Sequence, residues 1–157
     1  MLKIGDKAPT FTLFSNEKKE VSLSDFQGQP VVILFFPAAF TGVCTTELCN
    51  TRDDIQTYKN LNAQVIAISV DSIFTLDKFK GEQNLNFPLL SDFNRTVSAA
   101  YGSQYEDFVF GMKHVSKRSA FVVDKNGIIQ YAEVLESAGD LPNFDAVKIL
   151  CIICNIF

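Results

Sequence analysis

Val31-Val32-Ile33-Leu34-Phe35-Phe36-Pro37-Ala38-Ala39-Phe40-Thr41-Gly42-Val43-Cys44 is an apolar run that stops at a proline and delivers a cysteine to the start of a helix. β-branched and aromatic residues without polar alternation read as a central strand buried on both faces, which in a short chain points to a parallel sheet. Pro37 ends that strand. Beyond a short connection, Thr45-Thr46-Glu47-Leu48 opens a segment in which Leu48, Ile55 and Tyr58 recur at helical spacing. Cys44 lies one turn before Leu48 on the same face, so it sits in the helix's first turn and faces the sheet. Unpaired backbone N–H groups and the positive end of the helix dipole stabilise negative charge there, and a thiol reacts as its thiolate. A small buried hydrophobe is the commoner use of a free cysteine, so Cys44 alone does not decide the matter.

The rest of the chain builds an α/β pattern around this unit. Thr10-Phe11-Thr12-Leu13 alternates, Ser15 to Lys19 is turn-like, and Val21 with Leu23 resumes the alternation, which predicts an N-terminal hairpin at a sheet edge. Gly28-Gln29-Pro30 turns the chain into the central strand, and the helix after Cys44 is expected to run to about Asn60. Val65-Ile66-Ala67-Ile68-Ser69-Val70 is a second buried strand, completing a βαβ unit. Asp71 or Ser72 can cap the next helix, with Ile73, Leu76 and Phe79 inward and an end at Gly81 or near Asn84. Phe87-Pro88-Leu89-Leu90 reads as a short strand whose proline places it near an edge or a strand start. Asp92 caps a short helix that stops at Gly102, and Ser103 to Lys117 is a long irregular stretch carrying Tyr105, Phe108 and Phe110. Ser119–Val123 and Ile128–Tyr131 flank Asp124-Lys125-Asn126-Gly127, the strongest hairpin signal in the chain. A last helix starts near Asn143, carries Val147, Leu150 and Cys151 inward, and ends apolar on nearly every face, which suggests a docking or dimer surface or an atypical terminus. These elements specify a thioredoxin-like three-layer α/β sandwich, a mixed central sheet with helices on both faces and an N-terminal hairpin, in one domain over residues 1–157.

Composition narrows the function. At 157 residues, 47% apolar and 20% charged, the chain has room for one substantial core and does not read as disordered. A net charge of −4 with no basic stripe or P-loop argues against nucleic acid as a partner. The four cysteines read as reduced thiols rather than a disulfide framework. No stretch approaches the ~20 apolar residues that span a bilayer, and the first residues lack a signal-peptide core, so a cytoplasmic protein without membrane partners is expected. His114 stands far from Cys44 and Cys49, and Cys151-Ile152-Ile153-Cys154 is a single C-x-x-C pair, so no metal and no cofactor is expected.

Pro37-x-x-x-Thr41-x-x-Cys44 resembles the active-site signature of the peroxiredoxins, thiol peroxidases whose catalytic cysteine is oxidised by a hydroperoxide. The similarity extends through the Gly28-to-Phe36 lead-in, Ser69-Val70-Asp71, Phe87-Pro88-Leu89-Leu90-Ser91-Asp92 and Arg118-Ser119-Ala120-Phe121-Val122-Val123-Asp124. The resemblance implies reduction of hydrogen peroxide and alkyl hydroperoxides through a sulfenic acid on Cys44. Thr41 would supply a hydroxyl, Arg118 a fixed cation and the backbone N–H groups around Val43 and Cys44 further donors, while Pro37 shields the thiolate and Glu47 orients the arginine. It also implies a thiol reductant (thioredoxin, a glutaredoxin-like protein or a low-molecular-weight thiol) and a homodimer formed through the aromatic loop. Chemistry makes the donors mandatory: lowering a thiol pKa from ~8.5 to ~6 raises the thiolate fraction about thirtyfold, but falling nucleophilicity returns roughly tenfold of it. Large acceleration must come from groups that hold the peroxide in line.

Taken singly, each residue has a plain structural reading: Thr41 a helix cap, Arg118 a surface charge, Pro37 a strand stop. Together, at family spacing, they point to catalysis. Cys49 occupies the place where the branch resembling bacterioferritin comigratory protein keeps its resolving cysteine, whereas Phe40 to Cys44 with Glu47-Leu48 resembles the often one-cysteine alkyl hydroperoxide reductase E type. Both readings stay open, as does an inert Cys49 beside Arg52. The rivals are a redox sensor or holdase of the same fold, and a thioredoxin-like disulfide reductase. The reductase would want a C-x-x-C pair at the helix start and a proline before the late strand, where this chain has Cys44 alone and Ser116-Lys117-Arg118.

Overall fold

A computed structural model describes residues 1–156. Strand β3, Val31–Phe35, is buried along its whole length, as its unbroken apolar composition requires. Its side chains alternate between two cores: Val32, Leu34 and Phe36 point to one face of the sheet, Val31, Ile33 and Phe35 to the other. Burying a side chain of this size stabilises the fold by about 1.5–3 kcal/mol, so this strand is where the two cores meet energetically. It pairs in parallel with β4, Gln64–Ser69, and antiparallel with β6, Arg118–Val123.

The remaining strands are β1 (Thr12–Ser15), β2 (Glu20–Ser22), β5 (Leu89–Ser91) and β7 (Ile129–Leu135). They complete a mixed seven-stranded sheet of order β2-β1-β5-β4-β3-β6-β7. Helices α1 (Gly42–Asp53), α2 (Ile55–Asn60), α3 (Ile73–Gln83) and α5 (Phe144–Ile156) bury Leu48, Tyr58, Phe79 and Val147 against one face. On the opposite face lie α4 (Thr96–Ala100), through Val97, and the short 3-10 turn Leu23–Phe26, through Leu23. The expected three-layer sandwich is the observed one, with the hairpin β1–β2 at its edge.

One expectation is corrected, and one that left two placements open is decided. The single helix expected from Cys44 to Asn60 is broken at Asp54, whose backbone leaves helical geometry and whose carboxylate accepts a hydrogen bond from the Thr57 hydroxyl at 2.7 Å. A short acidic side chain that satisfies local donors competes with helix continuation, and Lys148 of α5 adds an ion pair that holds Asp54 there. Of the two placements expected for Pro88, near an edge or at a strand start, the second is observed, in a strand that is interior: β5 lies between β1 and β4. Pro88 precedes β5, so its missing N–H is no obstacle, and its carbonyl accepts from the Ala67 amide at 3.1 Å.

The caps follow their chemistry. Ser72 accepts from the Thr75 amide at 3.2 Å, and Asn84 closes α3 in the left-handed conformation that asparagine tolerates. Asp92 accepts from the amides of Val97 and Ser98 at 3.1 and 2.8 Å and so holds the start of α4 from four residues upstream. In the late hairpin the Asp124 carboxylate accepts from the amides of Asn126 and Ile128, and Gly127 takes the positive φ of 82° that the turn needs. No helix among the described residues is long and apolar enough to cross a membrane.

Candidate active site

The parallel strands β3 and β4 end on the same side of the sheet, where the chain leaves β3 through Pro37 and enters α1. Ligand sites of α/β sheets form at such carboxyl ends. Thr41 is the N-cap residue of α1 by backbone position, and Cys44 is the third residue of the helix, in the first turn as its spacing predicted. The Thr41 hydroxyl makes no capping bond and donates instead to the Ala38 carbonyl at 2.7 Å. Its lone pairs remain able to accept a proton from a ligand.

Cys44 is 2% exposed and packs with Leu48 and Phe36 in the core beneath α1. Arg118, the first residue of β6 and 1% exposed, reaches its sulfur: Nη2 donates to Sγ at 3.2 Å and to the Ala138 carbonyl at 2.9 Å. Arg118 Nη1 lies 3.4 Å from Oε1 of Glu47, which is fully buried one turn along α1. Neither Glu47 oxygen has a hydrogen-bond partner, and Arg118 Nε and Nη1 have none either, so the contact is an ion pair of poor hydrogen-bond geometry. Burial is the larger influence on Glu47 and raises its pKa to about 7, against the opposing pull of Arg118.

Pro37, Thr41, Val43, Cys44 and Arg118 line one cleft of about 490 Å³. The structure thus gathers the residues singled out from sequence, with Glu47 behind Arg118 rather than in the cleft. Cys49 is outside this group. It lies on the side of α1 facing α3, where its thiol donates to Gln83 Oε1 at 3.5 Å, and it is a free thiol like Cys44, Cys151 and Cys154. Cys151 is fully buried in the core with Val147, and desolvation pushes its pKa up to about 12.

Three features escaped the sequence reading. The Ala138 carbonyl that anchors Arg118 is backbone and leaves no side-chain signature. In the cleft's apolar wall, Phe108 and Phe110 belong to the loop the sequence had singled out, but Val109 and Met112 beside them carried no signal. The Asp71 carboxylate accepts from the Ala39 amide at 2.8 Å, a contact across 32 positions that no local pattern encodes.

The sequence matches the AhpC/TSA family over residues 4–132. A protein of Mycobacterium tuberculosis strain H37Rv, provisionally named a peroxiredoxin, is 42% identical over 131 residues, 82% of this chain and 83% of that one. The chloroplastic peroxiredoxin Q of Oryza sativa subsp. japonica is 40% identical over 127 residues, 81% of this chain and 57% of that one. The crystal structure of the peroxidoxin BcpB of Mycobacterium tuberculosis agrees with a TM-score of 0.84 at 28% identity, covering 98% of this chain and 97% of that one. The reduced 2-Cys peroxiredoxin of Plasmodium vivax also agrees at 0.84, with 25% identity over 98% of this chain and 96% of that one. With sequence and fold in agreement over most of its length, the chain belongs to the AhpC/TSA family, the peroxiredoxins, which are thiol-dependent peroxidases.

Proposed function

We propose that Cys44 is the nucleophile of the peroxidase reaction and that Thr41, Arg118 and the first-turn amides hold the peroxide in line for it. The observation that carries this reading is the 3.2 Å hydrogen bond from Arg118 Nη2 to Cys44 Sγ at the floor of the cleft. The thiolate attacks one oxygen of the hydroperoxide, an S–O bond forms, and the O–O bond breaks. Sulfur is oxidised by two electrons to a sulfenic acid, and the departing oxygen leaves as an alkoxide or hydroxide that takes up a proton to become alcohol or water. Charge shifts from sulfur to the leaving oxygen along this path. A guanidinium within reach of the sulfur follows that charge, and the α1 amides supply fixed donors beside it. Thr41, its own proton engaged on Ala38, accepts the O–H of the peroxide. Pro37 closes the cleft against water, and Glu47 holds Arg118 from behind.

The substrates are hydrogen peroxide and alkyl hydroperoxides, and the apolar wall of Phe108, Val109 and Met112 supports the alkyl class. The sulfenic acid condenses with a second thiol, releasing water and leaving a disulfide, which a thiol reductant returns to the thiol. That second thiol is Cys49 after local unwinding of α1, or the reductant itself. The working protein is a homodimer in the cytoplasm, formed through the aromatic loop. The test is intact mass after one equivalent of peroxide with a sulfenic-acid trap present. The trap is expected on Cys44, and Cys44→Ser is expected to consume no peroxide while keeping its fold. Undiminished peroxide consumption in that variant would end this reading.

A further inference from the structure

The turn from Pro37 to Thr41 carries the catalytic threonine and sets the start of α1, yet it contains a residue in a costly conformation: Phe40 has φ of 65°. A bulky aromatic residue adopts the left-handed region only when its surroundings over-determine it. Within the turn, only the Thr41 hydroxyl to Ala38 carbonyl bond at 2.7 Å acts. The Thr41 carbonyl accepts from the Thr45 amide and hydroxyl of α1, at 3.0 and 2.7 Å, and the fixings of Ala39 and Phe40 come from the chain after β4. The Asp71 carboxylate accepts from the Ala39 amide at 2.8 Å, and the Phe40 ring packs edge-on to Phe79 of α3 with centroids 5.1 Å apart.

Asp71 is itself held. The buried Ser69 hydroxyl donates to the same Asp71 oxygen at 2.6 Å, and the Asp71 amide donates back to Ser69 Oγ at 3.2 Å. The Ser91 hydroxyl donates to the Asp71 carbonyl at 2.6 Å. Three neighbouring segments are therefore joined at Asp71: its carboxylate binds the end of β4 and the turn before α1, and its backbone carbonyl binds the end of β5. The carboxylate touches neither Cys44 nor Arg118, and the peroxidase chemistry above makes no use of it.

Resting on the assignment of Cys44 as nucleophile, we propose that Asp71 is a positioning residue for the peroxidase reaction, fixing through the Ala39 amide the turn that places Thr41 in the cleft. Its carboxylate replaces a backbone acceptor that the turn cannot supply for itself. Without it the Ala39 N–H is left buried and unpaired, Phe40 can relax out of its strained conformation, and Thr41 moves with it. A displacement of about 1 Å in a group that aligns reactants can cost ~100-fold in rate.

The experiment compares two reactions of the same sulfur in the full-length protein. Peroxide reduction needs Thr41 in place, whereas alkylation of Cys44 by iodoacetamide needs only the thiolate and access to it. Asp71→Ala is expected to slow peroxide reduction roughly 10- to 100-fold while leaving peptide-resolved alkylation of Cys44 unchanged. Asp71→Asn keeps an oxygen acceptor in the same place and is expected to restore most of the peroxide rate. Loss of the peroxide rate together with faster alkylation would mean that the helix start has merely opened, and would overturn the proposal. So would an unchanged peroxide rate in Asp71→Ala, or a failure of Asp71→Asn to rescue it. If Asp71→Ala does not fold, Ser69→Ala, which frees the carboxylate without removing it, must still lower the peroxide rate with alkylation unchanged; an unaltered rate there overturns the proposal too. Failure of the underlying assignment is read separately, as the absence of trapped sulfenic acid on Cys44 in the unsubstituted protein.

Discussion

Glu47 is fully buried, has no hydrogen-bond partner on either oxygen, and meets Arg118 only through a 3.4 Å ion pair, while Arg118 spends its good geometry on Cys44 and Ala138. The carboxylate thus carries most of its desolvation cost, and its pKa rises from 4.5 to about 7. The native state therefore holds a proton on Glu47 more tightly than the unfolded chain does. The stability this contributes is full below about pH 4.5 and is lost as pH rises through about 7, a span on the order of 3 kcal/mol. Glu47→Gln cannot titrate and is expected to lose that part of the pH dependence. Urea midpoints of the two proteins measured from about pH 5 to about pH 8 should diverge, and parallel profiles would show that Glu47 titrates normally. On the proposed mechanism, in which the Arg118 charge acts mainly as the O–O bond breaks, Arg118→Ala is expected to lower the second-order rate constant with peroxide by orders of magnitude. A stopped-flow loss smaller than about fivefold would remove Arg118 from the mechanism.

At the level of elements, α1 is built to hold Cys44 in a first turn of modest stability. Thr45, Thr46 and Thr51 each turn their hydroxyl back to a carbonyl four residues earlier, at 2.7, 3.1 and 2.9 Å, a habit that weakens helices slightly. Five residues along an intact helix place Cys49 about 140° around and about 7.5 Å along from Cys44, too far for a disulfide. A link therefore requires the first turn and a half to melt, with Cys49 leaving Gln83. Peptide mapping after one peroxide equivalent is expected to find Cys44 joined to Cys49. A trapped sulfenic acid on Cys44 beside a free Cys49 would assign resolution to an external thiol. On the opposite face, Asp92→Ala removes the acceptor for two buried amides at the start of α4. It is expected to cost about 2–4 kcal/mol, read as a lower urea midpoint at unchanged slope.

Across the described residues, exposed apolar side chains gather at the mouth of the cleft, along α5 and in a patch of Phe14, Phe74 and Phe93. Phe110 is 97% exposed in a left-handed conformation at the cleft's rim, while Tyr105 and Phe108 stack on each other with centroids 4.8 Å apart within their own chain. Ile149, Ile152, Ile153 and Ile156 form the outward side of α5, whose inner side is Val147, Cys151 and Cys154. Of the three loop aromatics, expected to meet a second copy or else to pack within their own subunit, Tyr105 and Phe108 pack within the subunit and Phe110 stays exposed beside Val109 and Met112. Sedimentation velocity at micromolar concentration is expected to show a dimer, and Phe110→Asp to shift it to monomer by placing an unpaired charge in the contact. A monomeric unsubstituted protein would leave this rim as substrate surface alone.

How far the structure could be read from the chain depended on how local each feature is. The unbroken run Val31–Phe36, the helical spacing of Cys44, Leu48 and Tyr58, and the Asp124-to-Gly127 turn each encode their conformation within a few residues. β3, the start of α1 and the β6–β7 hairpin were accordingly legible, and the resemblance of Pro37, Thr41, Cys44 and Arg118 to a family signature marked those residues of the cleft. Asp54 looked like any polar helix position until Thr57 and Lys148 gave its carboxylate partners, and Pro88 left an edge and a strand start open until Leu89–Ser91 was placed between two strands. No spacing announced that the Ala138 carbonyl would receive Arg118, or that Asp71 would receive the Ala39 amide. Periodicity and turn chemistry are set by neighbours along the chain, so the sequence alone determined the elements, and its resemblance to a known signature determined the chemical groups of the site. Partners for buried polar groups are set by which elements pack together, so only the tertiary structure decided what holds those groups in place.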